Sequence, residues 1–284
     1  MLDIHQTNVR LNFQPGETSI MRLNNKVAII VGAGQTSGET LGNGRAVSLL
    51  FAREGARLML VDNRLESAEE TRDMIRDEGF EAEAIAGDVL IEHECHHIIE
   101  EALKCFNRVD ILHYNVGKSE GDRELSTLPV DNWDDIMDLN LRGFYLCAKH
   151  VLPVMRDQKS GVITGISSAA AVASGTNMTY KVSKAGINAL VQSLAVDNGK
   201  YGIRVNAIMP GLMDTPMAIE RRAREMDIPR EDIRAMRDRV VPLNKKMGTA
   251  WDVANASLFL ASDEASYVSG IALAVDGALT ARVG

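Results

Sequence analysis

From Lys26 onward, short apolar runs alternate with longer stretches of helical period. The apolar runs are rich in β-branched and aliphatic residues, which is typical of parallel strands covered by helices on both faces. Seven strands are predicted, at KVAIIV (26–31), RLMLVD (57–62), EAIAGDV (83–89), VDILHYNV (109–116), GVITGIS (161–167), IRVNAIM (203–209) and GIALAVDG (270–277). Helices are predicted at about 44–54, 65–78, 92–106, 133–157, 180–199 and 250–261.

This alternation predicts an α/β fold with a doubly wound, seven-stranded parallel sheet and helices on both faces. The connection over 212–246 is too long for a plain crossover, so we expect it to contain helices and to form a substrate lid. Residues 21–284 are predicted to be one domain. The polar stretch 1–20 is interpreted as an extension, either an arm on a neighbouring subunit or the product of an upstream start codon, because Met21 itself resembles a natural start.

Composition narrows the class of partner. The chain has 284 residues, 45% of them hydrophobic, and a net charge of −8, which suits one domain with a sizeable core. An acidic protein is repelled by nucleic acid and by anionic membrane surfaces, and no apolar stretch is long enough to span a bilayer. Small-molecule partners are expected. Three widely spaced cysteines favour a reducing cytoplasm over a disulfide framework.

The stretch GAGQTSGETLGNGRA allows two phosphate-binding registers: Gly32, Gly34 and Gly38, or Gly32, Gly42 and Gly44. The following RAVSLLFAREGA has helical period and stops at Gly55. A pyrophosphate binds the backbone N–H groups at a helix N-terminus, and that terminus must lie near 42–45. The second register is therefore favoured, with QTSGETL as an insertion.

The insertion QTSGETL (35–41) allows two interpretations. Its hydroxyl groups either reach a phosphate or contact no ligand; they belong to Thr36, Ser37 and Thr40. Glu39 would be repelled by phosphate and is expected to face solvent.

Asp62 ends the second predicted strand, in LMLVDNR. A carboxylate there can accept hydrogen bonds from both adenosine ribose hydroxyls and repel a 2′-phosphate, so NAD is favoured over NADP. The alternative is an ordinary turn residue or helix cap. Arg64, two positions on, is a complication because a basic group tolerates the extra phosphate.

Tyr180 and Lys184 lie four residues apart in YKVSKAGINALVQSLA, on one face of a predicted helix. An ammonium group near a phenol favours the phenolate, and an oxidised nicotinamide adds positive charge, so Tyr180 is a candidate base for an alcohol proton. The alternative is an exposed pair on an ordinary amphipathic helix.

His93 and His97 have the spacing of a helical metal pair. They fall in a predicted helix far from the carboxyl ends of the strands, so we interpret them as part of a solvated helix face and predict no metal site.

Several motifs, in order along the chain, resemble the short-chain dehydrogenase/reductase family in its small single-domain form, over roughly 22–283. They are the glycine loop, GDV (87–89), YNVG (114–117), Asn140 in NLRGFYL, ISS (166–168), YKVSK (180–184), NAIMPGLMDT (206–215) and VDGA (275–278). The resemblance implies a Rossmann fold and hydride transfer between NAD(H) and a secondary alcohol or ketone, without a metal. It also implies a homotetramer built on the helices at 133–157 and 180–199.

The resemblance assigns a role to each matching residue. Ser168 would hydrogen-bond the reacting oxygen, Tyr180 would be the acid/base, Lys184 would bind the nicotinamide ribose and lower the tyrosine pKa, and Asn140 would hold a water in the proton relay. The implied cofactor-binding residues are Gly32, Gly42, Asn43, Gly44, Asp62, Asp88, Val89, Asn115, Gly117, Tyr180, Lys184, Pro210, Gly211 and Thr215. The alternative function is an NAD-binding module without turnover, which would have no chemical reason to keep the Ser–Tyr–Lys–Asn set.

Three departures from the family pattern remain. The glycine loop is six residues longer than usual, YNVG replaces the usual double asparagine, and the segment from Ser168 to Tyr180 is one residue short. Counting back from Tyr180 would select Ser167 instead. Ser168 is preferred because the strand fixes the alternation of its residues, whereas the loop after it can lose one.

Overall fold

The computed structural model describes residues 21–173 and 177–282. The predicted extension over 1–20 lies outside the described residues. The strands are β1 (Val27–Val31), β2 (Arg57–Asp62), β3 (Ala82–Ala86), β4 (Ile111–Tyr114), β5 (Gly161–Ile166), β6 (Ile203–Pro210), β7 (Met213–Asp214), β8 (Gly248–Thr249) and β9 (Ala272–Val275). Seven of them form one parallel sheet in the order β3-β2-β1-β4-β5-β6-β9, which confirms the seven predicted strands.

The α-helices of the described ranges are α1 (Asn43–Arg53), α2 (Leu65–Asp77), α3 (Glu92–Phe106), α4 (Val130–Met137), α5 (Gly143–Gln158), α6 (Met178–Asn198), α7 (Pro216–Met226), α8 (Arg230–Val240) and α9 (Ala250–Ala261). A π-helical segment, Asp138–Arg142, joins α4 to α5, and short 3-10 turns lie at Leu125–Thr127, Ala169–Ala171, Gly199–Tyr201 and Asp263–Ala265. The single helix predicted over 133–157 is therefore wrong in detail. It begins earlier, and its hydrogen-bonding pattern changes at the π-helical segment.

Strand β1 shows how the sheet acquires helices on both faces. Its residues are all buried, and they alternate between two hydrophobic clusters. Val27, Ile29 and Val31 pack with residues of α3, α5 and α6. Ala28 and Ile30 pack with residues of α1, α2 and α9 on the opposite face. The period of two along a strand sends neighbouring side chains to opposite faces, which is why such a strand must be apolar throughout.

The long connection between β6 and β9 contains two helices, as predicted. Helices α7 and α8 share a small cluster of their own, made by Ile219, Ile233, Val241 and Met247. The short parallel pair β7 and β8, which the sequence pattern did not predict, closes the base of this segment. We call residues 212–246 the lid. Among the described residues, none of the helices combines the length and the apolar character needed to cross a membrane.

Asp110 holds the amino ends of β1 and β4 together. Its side chain is buried and accepts hydrogen bonds from the Val27 N–H (2.9 Å) and from Arg108 Nε (2.8 Å) and Nη2 (2.6 Å). Its backbone N–H donates to the Val27 carbonyl oxygen at 2.9 Å. The carboxylate is thus well partnered, and its removal would leave the buried Val27 N–H without this acceptor.

We therefore expect Asp110→Ala to lower the free energy of unfolding by about 2–4 kcal/mol, because the Val27 N–H and the guanidinium group lose their partner. Urea denaturation would measure this. Asp157→Ala, at an exposed position on α5, is the control and should change the free energy little. Equal stability of the two variants would contradict the assignment of Asp110 as a structural carboxylate.

Candidate active site

A cavity of about 670 Å³ lies at the carboxyl end of the sheet, where β1 and β4 are neighbours and the strand order reverses. Ligands of open α/β sheets bind at this kind of position. The cavity is lined by all but one of the residues predicted for the site: Gly32, Gly42, Asn43, Gly44, Asp62, Asp88, Val89, Asn115, Gly117, Ser168, Tyr180, Lys184, Pro210, Gly211 and Thr215. The exception is Asn140, which is fully buried next to the cavity-lining Gly117. The structure thus brings together residues that are widely separated in sequence.

The first turn of α1 faces the cavity. The helix begins at Asn43, with Gly42 as an N-cap whose own N–H is held by the Gln35 side chain at 2.9 Å. A Cβ on Gly44 would lie 1.9 Å from the Gly32 carbonyl oxygen, so only glycine allows the helix to approach the end of β1 this closely. The predicted position of the helix start near 42–45 is confirmed. The N–H groups of this first turn have no partner within the helix and are available to an anion.

The glycines of the other register, Gly34 and Gly38, have different surroundings. The Gly34 N–H donates to Asp62 Oδ2 at 3.1 Å, and a Cβ on Gly38 would lie 2.8 Å from Pro216 Cβ in the lid. Glu39, predicted to face solvent, is half exposed and forms an ion pair with Arg234 of the lid at 3.1 Å. The inserted loop is therefore in contact with the lid. Of its three hydroxyl-bearing residues, Thr36 lines the cavity.

Asp62 lies at the end of β2 with both carboxylate oxygens partly engaged. Oδ2 accepts from the Gly34 N–H and Oδ1 from the Arg64 N–H, each at 3.1 Å. Because each carboxylate oxygen has two acceptor positions, one on each oxygen remains for ribose hydroxyls. The Arg64 guanidinium donates to the Gln35 carbonyl oxygen at 2.7 Å and is thereby tied to the inserted loop.

The two candidate serines have different surroundings. The Ser167 hydroxyl is buried and donates to the Lys184 carbonyl oxygen at 2.9 Å, so it belongs to the packing of α6 against β5. The Ser168 hydroxyl accepts a hydrogen bond from the Ala170 N–H at 3.1 Å and lies close enough to the Tyr180 phenol to act to lower its pKa. The geometry therefore favours Ser168 as the partner of Tyr180.

Burial dominates the acid–base properties of Tyr180 and Lys184. Burial raises the pKa of Tyr180 above its ordinary value and outweighs the opposing effects of Ser168, Arg221 and Arg222. The lowered tyrosine pKa expected from the sequence is therefore absent in the protein alone, because loss of water disfavours the phenolate. Burial also lowers the pKa of Lys184 to about 7. Its Nζ donates to the Ile166 carbonyl oxygen at 2.7 Å and lies 5.7 Å from the centroid of the Tyr180 ring.

Asn140 is fully buried in the π-helical segment. Its amide donates to the Lys118 carbonyl oxygen and to Ser183 Oγ, each at 2.9 Å, while its oxygen accepts from the Lys118 N–H at 2.8 Å. A Cβ on Gly117 would lie 2.8 Å from Lys184 Nζ and 3.2 Å from Asn140 Oδ1. Asn140 thus lies behind Gly117, on the buried side of Lys184. The π turn is a recurrent feature of functional sites.

Asp122 holds the start of α6, the helix that carries Tyr180, and the sequence pattern did not predict it. Its carboxylate accepts from the backbone N–H groups of Thr179 (3.3 Å) and Tyr180 (2.9 Å) in the first turn of α6. A carboxylate at this end of a helix satisfies free donors and interacts favourably with the helix dipole. No local pattern marks Asp122, because it lies far along the chain from the helix that it caps. Three arginines of the lid also line the cavity, although they were not among the predicted site residues: Arg221, Arg222 and Arg237.

Comparison with known proteins identifies the family. A family model described as enoyl-(acyl carrier protein) reductase matches residues 39–280. The 2-(R)-hydroxypropyl-CoM dehydrogenase of Xanthobacter autotrophicus is 37% identical, with 90% of this chain and 99% of that protein aligned. Levodione reductase of Leifsonia aquatica is 31% identical, with 92% and 96% aligned. The chain belongs to the short-chain dehydrogenase/reductase family.

A crystal structure of carveol dehydrogenase from Mycobacterium avium in complex with NAD has the same fold. It superposes with a TM-score of 0.84 at 28% identity, and the alignment covers 92% of this chain and 99% of that one. The protein is thus an oxidoreductase of the short-chain dehydrogenase/reductase type, a family that uses a nicotinamide cofactor. The cavity suits such a cofactor: the side-chain-free cradle of Gly32 and Gly44 leaves the N–H groups of α1 open to a pyrophosphate.

The unusual pKa of Lys184 predicts a pH-dependent stability. A lysine with a pKa of 10.5 when unfolded and about 7 when folded binds more protons in the unfolded state between these values. Stability therefore rises with pH over this interval. From pH 7 to pH 9 we expect the free energy of unfolding to rise by about 2 kcal/mol more in the parent than in Lys184→Met. Urea denaturation at several pH values would measure the difference.

The matched control is Lys246→Met at an exposed lid position, which should keep the pH dependence of the parent. Identical slopes in the parent and in Lys184→Met would show that Lys184 is charged in the folded protein at pH 9.

Proposed function

We propose that the protein is an NAD-dependent dehydrogenase or ketone reductase that acts on a small secondary alcohol or ketone. The observation that carries this proposal is the grouping of Ser168, Tyr180 and Lys184 on one wall of the cavity whose other side is formed by the first turn of α1. The family membership and the alcohol- and ketone-converting relatives support it. We further propose that residues 21–284 are one domain and that the lid closes over the substrate.

A distinct role falls to each of the four predicted catalytic residues: Ser168, Tyr180, Lys184 and Asn140. Ser168 donates a hydrogen bond to the reacting oxygen, and Tyr180 removes or returns the proton of that oxygen. Lys184, when charged, favours the phenolate and binds the nicotinamide ribose. Asn140, whose side chain hydrogen-bonds the Lys118 backbone, would hold a water in the proton relay. The bound nicotinamide supplies the hydride acceptor in the oxidation of an alcohol and the hydride donor in the reduction of a ketone.

The cofactor contacts follow from the lining of the cavity. The N–H groups around Asn43 would hold the pyrophosphate. Asp88 and Val89, which line the same cavity, would contact the adenine. Asp62 supports NAD over NADP, because its free acceptor positions suit ribose hydroxyls and its charge repels a 2′-phosphate. Arg64 is held against the inserted loop, which reduces its freedom to bind that phosphate.

An NAD-binding module without turnover is the alternative. Such a module would need the glycines and helix start that bind a nucleotide. It would not need Ser168 beside Tyr180, and it would not need to bury Lys184, which is unfavourable. The alignment and the burial therefore favour an enzyme.

A homotetramer and a cytoplasmic location belong to the same proposal. Helices α5 and α6 expose apolar side chains that suit a two-fold interface, among them Tyr145 (47% exposed) and Val196 (82%). All three cysteines are free thiols, which suits a reducing compartment. Sedimentation of the protein as a monomer would contradict the assembly.

We expect Tyr180→Phe to lower kcat by about 100-fold to 10,000-fold, because it removes the proton donor and acceptor while keeping the ring. NADH formation would be followed at mildly alkaline pH with NAD⁺ and a panel of secondary alcohols, sugars, hydroxy acids and sterols. Tyr201→Phe, away from the cavity, is the control. Turnover by Tyr180→Phe at the parent rate would refute the assignment. NAD⁺ binding without turnover of any compound would favour the binding module.

Cofactor preference tests Asp62. We expect the parent to favour NAD over NADP by roughly 100-fold in kcat/KM, since a like charge beside the 2′-phosphate costs several kcal/mol. Asp62→Asn keeps an acceptor for the Gly34 N–H but removes the charge, so the preference should fall by about tenfold. Asp77→Asn, exposed at the end of α2, is the control. Equal use of both cofactors by the parent would contradict the role of Asp62.

A further inference from the structure

Three arginines of the lid line the same cavity as Ser168 and Tyr180: Arg221 and Arg222 on α7, and Arg237 on α8. All three are partly buried. Arg221 and Arg222 are close enough to Tyr180 for their charges to lower the pKa of its phenol. The positive charge is therefore concentrated at the reacting end of the cavity, although the whole chain carries a net charge of −8.

Within the described residues, Arg222 and Arg237 form no ion pair with a carboxylate. Arg222 donates to the Ala218 carbonyl oxygen at 2.9 Å, and the Nε of Arg237 faces the Met247 sulfur at 3.2 Å, a weak acceptor. Arg221 donates to Ser119 Oγ at 3.1 Å, and its Nε lies 3.5 Å from the half-exposed Glu225 carboxylate. Most of the N–H donors of these three groups are thus left for another acceptor.

Two other arginines of the same lid, Arg230 and Arg234, are paired with carboxylates. Arg230 lies 2.6 Å from the buried Glu220 carboxylate, and Arg234 contacts both Asp214 (3.3 Å) and Glu39 (3.1 Å).

Among the described residues, Arg224 and Arg239 also have no ion pair, but both are exposed. The partly buried arginines of the lid that have no carboxylate partner are therefore Arg222 and Arg237, which line the cavity. Side-chain packing alone does not account for that difference.

The mutual proximity of the three cavity-lining arginines is unfavourable in the absence of an anion. Burial and the charge of Arg221 lower the pKa of Arg222, while burial and the charge of Arg222 lower the pKa of Arg237 to about 10. Like charges on a partly desolvated wall repel each other, and a bound anion would relieve the repulsion. Guanidinium groups also match the geometry of carboxylate, sulfonate and phosphate oxygens.

We propose that the substrate is a secondary alcohol or ketone that carries an anionic oxygen group, and that Arg222 and Arg237, assisted by Arg221, bind this group. The proposal rests on the proposed dehydrogenase function. The lid then places an anion opposite the Ser168–Tyr180 wall and so orients the carbinol carbon. Carboxylate, sulfonate and phosphate share the required chemistry, and the experiment distinguishes them.

Binding is measured first, because it does not depend on turnover. Titration calorimetry of the NADH-loaded protein would compare cyclohexanecarboxylate, cyclohexanesulfonate and cyclohexyl phosphate with the neutral cyclohexanecarboxamide. We expect at least one anion to bind about 10-fold to 100-fold more tightly than the amide, which is the usual effect of charge-assisted hydrogen bonds. The tightest anion identifies the preferred group.

Arg222→Gln and Arg237→Gln should each remove most of this preference, since each loses a charge but keeps a polar side chain. The matched controls are Arg224→Gln and Arg239→Gln, which change the net charge equally at exposed positions on the same two helices. The controls should retain the preference. NADH affinity should be the same in all four variants, whereas a role of these arginines in binding a cofactor phosphate would weaken it.

Turnover supplies the second readout. 4-Hydroxycyclohexanecarboxylate should have a kcat/KM at least about 10-fold above that of its carboxamide in the parent, and the ratio should approach one in Arg222→Gln. If the neutral alcohol is turned over and no anion is preferred in either assay, the anion site is refuted while the dehydrogenase function stands. If anions bind selectively but no alcohol is oxidised, the proposed function fails and the anion site stands. Equal loss of preference in the control variants would also refute the site.

Discussion

The close contact between the first turn of α1 and the end of β1 is the constraint on which the site depends. Gly44 leaves no room for a side chain against the Gly32 carbonyl oxygen, so the helix start is pressed onto the sheet where the strand order reverses. Asn115 donates to the same carbonyl oxygen at 3.1 Å, which ties the end of β4 to this contact. The free N–H groups of α1 take their position beside the cavity from this junction.

Burial sets the chemistry of that wall more strongly than any single ion pair. Lys184 is 2% exposed and has a carbonyl oxygen as its hydrogen-bond partner, so its charge is poorly compensated in the protein alone. The same loss of water raises the pKa of Tyr180, because it disfavours the charged phenolate. A cationic nicotinamide and an anionic substrate would each change this balance. The resting wall is therefore sensitive to the charge of what binds beside it.

Much of the fold could be predicted from local pattern. The seven apolar runs became the seven strands of one sheet, because a strand covered on both faces, such as β1, has to be apolar at every position. The helix start near Gly42 followed from the period of the next helix. The π turn around Asn140 could not be predicted in this way, because a change of hydrogen-bonding pattern leaves no distinct period in the sequence.

The sequence by itself determined the seven strands, the glycines of the junction and the spacing of Tyr180 and Lys184, since these depend on neighbouring residues and on local backbone geometry. The tertiary structure alone directed the Ser167 hydroxyl to the Lys184 carbonyl oxygen, placed Asp122 at the start of α6 and brought Arg222 and Arg237 from two lid helices to one cavity. Such contacts join residues far apart in the chain, and packing, rather than local periodicity, fixes which side chains meet.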